Sequence, residues 1–194
     1  GDGLHLLFGA PGDQPDHAER AVACALALDA FCEAFRAERR AAGIALGVTR
    51  IGLHSGPALV GDFGGGRYFD YAAHGDTINT AARLEAANKV LGTRICVSAA
   101  VAARMSGFPG RPVGDLLLRG RSEPLRAYEP LGPGRADATE TGAYAAAFER
   151  LAARDPGALP AFAALVGADP ADPLANFHLR RLLNGQTGVW MELP

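Results

Sequence analysis

The sequence predicts one α+β or α/β domain, on three observations: strand-like apolar runs alternate with stretches of helical spacing, turn residues separate them, and the composition can fill a core. Hydrophobic residues make up 48% of the 194, enough for a full core and at most a small appendage. The 19 Lys and Arg nearly balance the 21 Asp and Glu, giving a net charge of −2. No whole-protein field then attracts nucleic acid or an anionic membrane surface, and a nucleic-acid partner is not expected. No apolar run approaches bilayer-crossing length and no targeting signal is read. Cys24, Cys32 and Cys96 are odd in number and form no CxxC pair. They are expected as reduced core thiols of a cytoplasmic protein.

Taken in order, Leu4 to Phe8 reads as a short buried strand entered partway through a sheet, which suggests a piece of a longer polypeptide. Asp16 is the expected cap of a helix whose apolar positions, including Val22, Leu26, Phe31 and Phe35, recur at helical spacing up to RAERR and pack on a sheet. GIALGVTRIGLHSG follows as a strand, and ALVGDFGGGRYFDYAAH as a hairpin turning at Gly64 to Gly66. Asp76 is the expected cap of a helix from Thr77 to about Lys89, TRICVS is a strand, and SAAVAARM a short helix. VGDLLLRG and PLRAYEPL pair as a hairpin across Arg121 to Glu123. Residues 132–142 are linker-like in composition. From residue 143 to 194 three helical patterns are separated by proline-containing breaks.

Chemistry concentrates at the helix that opens near Asp76. Asn79 and Arg83 are four residues apart and share one flank, beside an apolar face formed by Ile78, Ala81 and Ala82. Near a helix N-terminus the free N–H groups and the macrodipole favour an anion, and the Arg fork matches phosphate oxygens. The pair therefore suits a phosphoryl group, whereas an isolated N-x-x-x-R is more often a solvated surface pair.

The ordered series GDGLHLLFGAP, DHAERAVACALAL, RIGLHSGPALVGDFGGGRYFDYAAHGDTINTAARLE and RICVS resembles the class III adenylate/guanylate cyclase catalytic domain, from Gly1 to about Leu131. The resemblance implies an α+β, ferredoxin-like domain over residues 1–131, with a central, mostly antiparallel sheet and flanking helices. It further implies that the first strand and its helices lie upstream, that 132–142 is a linker and that 143–194 is a C-terminal helical extension. The extension is similar to those of bacterial membrane-bound adenylate cyclases with a CHASE-type sensor, which would anchor the intact protein in the inner membrane with this part in the cytoplasm.

Such enzymes convert ATP to 3′,5′-cyclic AMP and pyrophosphate with two divalent ions, Mg2+ or Mn2+, and Asp2 matches one of two metal-binding aspartates. The other, with a base-recognising lysine, would precede Gly1, so the 194-residue piece is expected to be inactive by itself. By the same resemblance, Asn79 orients the ribose and Arg83 stabilises charge on the α-phosphate. Arg119 and Arg121 resemble the basic position that holds the terminal phosphates, with the choice between them open. Ala72 stands where a polar residue usually reads the purine; ATP is expected on family frequency and GTP stays open.

The implied partner is a second copy of the chain. Phe63, Tyr68, Phe69 and Tyr71 would serve either as anchors across a head-to-tail homodimer or as core residues. His54 and His74 read as packing residues, and Asp62 and Asp70 as turn residues. The alternatives to an adenylate cyclase are a guanylate cyclase, an inactive cyclase-like dimerisation or nucleotide-sensing module, and an unrelated α+β protein.

Overall fold

A computed structural model describes residues 3–65, 69–132 and 138–193. In chain order the elements are α1 (His17–Ala41), β1 (Ile51–Leu53), β2 (Leu59–Asp62), β3 (Tyr71–His74), α2 (Asp76–Leu91), β4 (Ile95–Ser98) and α3 (Ala99–Ala102). They continue as β5 (Gly110–Leu117), β6 (Leu125–Pro130), α4 (Ala138–Ala152), α5 (Ala158–Ala168), α6 (Pro173–Leu183) and β7 (Trp190–Glu192). Five strands form one mixed sheet in the order β1-β4-β6-β5-β7, and β2 and β3 form a separate two-stranded ribbon. β1 runs parallel to β4 and β7 parallel to β5, while β6 is antiparallel to both its neighbours.

Strand periodicity sorts the core into two layers. In β4, Ile95 and Val97 face a cluster that holds Ala18, Val22 and Ala25 of α1 with Val101 of α3. Cys96, between them, faces the larger cluster with Leu84 and Leu91 of α2, Tyr144 and Phe148 of α4, Phe162 of α5 and Leu174 of α6. The C-terminal helices therefore share a core with α2 and the sheet. Burial pushes the Cys96 thiol up to about 12, so it is an inert apolar group.

Two expected strands are shorter or absent. Leu4 to Phe8 carries no strand, and Leu4 and Leu6 are exposed. A strand persists only where a ladder partner exists, and β1, next to β4, has no second neighbour among the described residues. The same cause trims the stretch after Gly43: Ile44, Leu46 and Val48 are exposed, and the strand starts only at Ile51, where Ile95 faces it. The helix expected after Asp16 forms, although Asp16 gives no side-chain cap and instead pairs with Arg20 at 2.8 Å. At 25 residues, α1 runs for about 37 Å and outreaches the sheet, which leaves Phe31 and Phe35 exposed and stacked on each other.

A buried ionic knot holds the C-terminal helices to the sheet. Arg111 of β5 donates through Nε to Glu129 of β6 at 2.8 Å, and through Nη1 and Nη2 to both oxygens of Asp172 at 2.5 and 2.7 Å. Asp172 also caps α6, accepting from the Leu174 and Ala175 amides. Burial opposes both charges, yet the Asp172 hydrogen bond and the Glu129 charge raise the Arg111 pKa, and the Arg111 hydrogen bonds hold the Asp172 carboxyl below its usual range. Replacing Asp172 by Ala strands a buried guanidinium and uncaps α6. The expected loss is about 3–5 kcal/mol in urea denaturation.

His178 of α6 is fully buried among Tyr144, Phe148, Phe162 and Phe177. Burial, with the Arg181 and Arg111 charges, lowers its pKa to about 3. Unfolding releases it to the ordinary value near 6.5, so below that pH the unfolded chain binds the extra proton. Stability should fall by about 1.4 kcal/mol per pH unit from pH 6.5 toward 3. In His178→Phe this slope should flatten in a pH series of denaturation curves.

Candidate functional site

The site is built on α2, and α2 is placed by a close backbone contact with β1. At Gly52 of β1 a Cβ would collide with Ala81 O and Glu85 N, so helix and strand meet backbone to backbone. One turn further on, the buried Asn88 amide donates to Ile51 O at 3.0 Å, and its oxygen accepts from Thr93 at 2.6 Å. Gly92, in the left-handed conformation, then closes the helix. At the other end the Thr77 hydroxyl donates to Pro57 O at 2.5 Å, anchoring the first turn to the loop before β2.

Asp76 is not the cap expected from the sequence: the N-cap is Gly75, at φ 138°, and Asp76 is the first helical residue without a capping bond. Its carboxylate is the counter-ion of two arginines instead. Arg121, in the turn between β5 and β6, donates from Nη1 to Asp76 Oδ2 at 2.8 Å and to the buried Thr80 hydroxyl at 3.1 Å. Arg83 lies one turn beyond Asn79 and brings Nη1 to 3.6 Å from Asp76 Oδ1, too long for a hydrogen bond. Gly120, at φ +74°, lets the turn pass close over the Arg83 guanidinium, where a Cβ would stand 3.3 Å from Nη2. Arg83 and Arg121 thus converge at the opening turn of α2. Arg83 Nη1 and Arg121 Nε are buried donors without a hydrogen-bond partner among the described residues.

Asn79 is exposed on the same helix. Arg119 sits at the turn, exposed, and its side chain makes no ion pair or hydrogen bond among the described residues. Ala72 lies in β3 opposite Gly61, on the ribbon that leads through Gly75 into α2. Asp2 and Tyr68 fall outside the described residues. Among the described residues, no group of three or more His, Cys, Asp or Glu comes together to hold a metal ion.

The residues expected to have plain structural duties have them. His54 Nδ1 is 2.8 Å from Ser98 Oγ, and burial with the Arg121 charge lowers its pKa. Asp62 accepts from the Gly64 and Asp70 amides, bonds that lower its pKa and tie the ends of the ribbon turn. His74 meets the Phe63 ring edge at 4.3 Å. Phe63, Phe69 and Tyr71 are exposed. Sequence reasoning missed Asp76 and Thr80 as partners of Arg121. Their spacing of four residues was available as a signal, but the arginine comes from 45 residues along the chain.

Residues 1–129 match the family described as the adenylate and guanylate cyclase catalytic domain. Adenylate cyclase 1 of Rhizobium meliloti (strain 1021) is 42% identical over 147 residues, 75% of this chain and 22% of that protein. The chain thus spans about a fifth of the length of the curated relative it matches. The crystal structure of the adenylyl cyclase CyaB from P. aeruginosa is similar at a TM-score of 0.56 and 27% identity, covering 67% of each chain. The guanylate cyclase domain of RhGC from Catenaria anguillulae, solved in complex with GTP, is similar at a TM-score of 0.52 and 31% identity, over 64% of this chain and 65% of that one.

Because the contact at Gly52 is with backbone, no rotamer change can relieve a side chain there. Gly52→Ala is expected to cost about 3 kcal/mol in denaturant unfolding. In the same variant the amides of α2 should exchange faster.

Proposed function

The chain belongs to the adenylate and guanylate cyclase catalytic-domain family, and from that premise we propose that it forms 3′,5′-cyclic AMP and pyrophosphate from ATP in signal transduction. The observation that carries this reading is the convergence of Arg83 and Arg121 on the first turn of α2 with two buried donors left over. Those donors suit the oxygens of a polyphosphate, since the Asp76 carboxylate stands 3.6 Å from Arg83 Nη1 and leaves both donors without a hydrogen bond.

In the reaction the ribose 3′-oxygen forms a bond to the α-phosphorus, the bond from that phosphorus to the bridging oxygen breaks, and pyrophosphate leaves with the electron pair. The hydroxyl proton passes to solvent. Arg83, rigid on a helix, stabilises the charge that builds on the α-phosphate oxygens. Asn79 faces the ribose with a donor and an acceptor. Arg121 and Arg119 hold the terminal phosphates, Arg121 from a position already braced by Asp76 and Thr80. Divalent Mg2+ or Mn2+ supplies hydroxyl activation and charge neutralisation in this class, and Asp2 is the ligand we assign from this chain.

The active unit is a homodimer, with Phe63, Phe69 and Tyr71 at the seam; their exposure supports this role. Residence in the cytoplasm, and anchoring of the intact protein in a membrane with a sensor, belong to the same proposal. No helix among the described residues is long and apolar enough to cross a membrane. GTP is the second reading, since Ala72 offers a base edge no hydrogen bond and one similar structure is a guanylate cyclase bound to GTP.

The test is cyclic nucleotide formation by the purified full-length protein with Mn2+ and either ATP or GTP. Arg83→Ala should lower turnover about 100- to 1000-fold with a much smaller change in KM. Unchanged turnover removes Arg83 from the mechanism, and an unmodified protein that forms neither cyclic product overturns the reading.

A further inference from the structure

The turn that carries Arg119 and Arg121 is gripped from outside the cyclase-matched residues. β7 adds to the free edge of β5 in parallel, with Leu116 opposite Met191 and Leu117 opposite Glu192. The ladder ends where Leu193 N donates to Leu117 O at 3.1 Å, two residues before Arg119. Glu192 and Leu193 share with Arg119, Gly120 and Arg121 the walls of one surface depression. We propose that the C-terminal strand β7 is a positioning strap, which fixes the turn bearing Arg119 and Arg121 and so sets the grip of the site on the terminal phosphates of the nucleotide. This inference rests on the cyclase reading.

Three features show that β7 is held in a defined place. First, β5 is shaped to receive it: its register with β6 shifts between Pro112 and Gly114, and Gly114 stands at φ +149°. There a side chain would strike Met191 Cε and come within 2.7 Å of Val189 O. The neighbouring Asp115 amide donates to that same carbonyl at 2.8 Å. Second, Arg181 of α6 is buried and spends its guanidinium on the carbonyls that lead into β7, donating twice to Gly188 O at 3.1 Å and once to Trp190 O at 3.2 Å. Among the described residues it has no carboxylate partner, and burial lowers its pKa. A charge buried to satisfy two turn carbonyls is costly unless the turn must be held there. Third, Met191 and Leu193 alternate inward into the larger core, so the strap is locked by packing as well as by its ladder.

The consequence is mechanical. β5 is clamped near its start by the Arg111 knot and near its end by β7, so the turn beyond Leu117 begins from a fixed point. A charge-assisted contact loses strength steeply when its donor is free to wander. β7 should therefore act on nucleotide affinity more than on the chemical step, the opposite of the split expected for Arg83.

The experiment compares the full-length protein with its Arg181→Gln variant and with Met191→Ala, which keeps the Arg181 contacts and substitutes for the first where that variant does not fold. KM for the triphosphate should rise about tenfold, with a smaller fall in kcat. Amide exchange over residues 117–121 should quicken while residues 84–91 stay protected. An unmodified protein that turns over while the folded variants keep its KM, or variants with unchanged exchange at 117–121, overturn the strap and leave the cyclase reading intact. An unmodified protein that forms no cyclic nucleotide overturns the cyclase reading itself.

Discussion

The contact on which the rest of the domain depends is the seating of α2 against β1 without an intervening side chain. Asn79 and Arg83 project from that helix, so any error in its height or rotation is passed to both. Packing through side chains would leave rotamer slack. At Gly52 there is none, because Ala81 O and Glu85 N occupy the space a Cβ would need. Asn88 completes the fit: its amide group bridges Ile51 O, Leu84 O and Glu85 O, and its oxygen takes the Thr93 hydroxyl. A buried amide with all these partners rigidifies what it joins, since any displacement leaves desolvated groups unpaired.

The Arg111 knot works differently. Taking one guanidinium and two carboxylates out of water consumes most of what their attraction returns, so the knot is weak evidence for added stability. Its value is directional. The fork of Arg111 fits Glu129 on one side and both oxygens of Asp172 on the other, and the Tyr144 ring lies 4.6 Å below the cation. Tyr144 in turn donates to Pro112 O, next to Arg111 on β5. Any other orientation of α4 and α6 on the sheet would break several of these bonds at once. The C-terminal helices are thereby fixed on the strand that leads into the turn bearing Arg119 and Arg121.

The longer helices were legible in the sequence because each states its period over several turns and carries its own punctuation, a stop at Gly92 or a start at Pro173. The hairpin of β5 and β6 and the ribbon of β2 and β3 were legible for a similar local reason, with Gly66 of the expected ribbon turn lying outside the described residues. The failures occurred where partners decide. Leu4 to Phe8 and residues 44–50 have strand composition, but a strand needs a neighbour, and composition does not say whether one is in reach. β7 went unnoticed because a strand of three residues gives too short a pattern, although Val189, Met191 and Leu193 do alternate with Trp190 and Glu192. Asn79 and Arg83 stood out as a spacing on one helix. Asp76, misread as a cap, shows the limit: an acidic residue at a helix start satisfies two rules, capping and pairing. Only the approach of Arg121 from a distant turn chose between them. The knot of Arg111, Glu129 and Asp172 was invisible for the same reason, its members lying 18 and 61 residues apart.

Asp76 also explains how a cluster of arginines is tolerated at the positive end of a helix. Without it, Arg83 and Arg121 would repel each other beside unpaired N–H groups and the macrodipole, an arrangement that would splay the turn away from α2. With it the charges are offset but not fully engaged: Arg121 is hydrogen-bonded, Arg83 is held at 3.6 Å, and a donor on each stays unused. A single carboxylate has two oxygens and cannot face both forks squarely, whereas a polyphosphate brings several oxygens spread over a greater length. Asp76 thus holds the two guanidiniums together without saturating them, as the proposed polyphosphate site requires. On the proposed cyclase reading, little reorganisation would then remain at the moment of reaction, the condition under which fixed charges are most effective on a developing one.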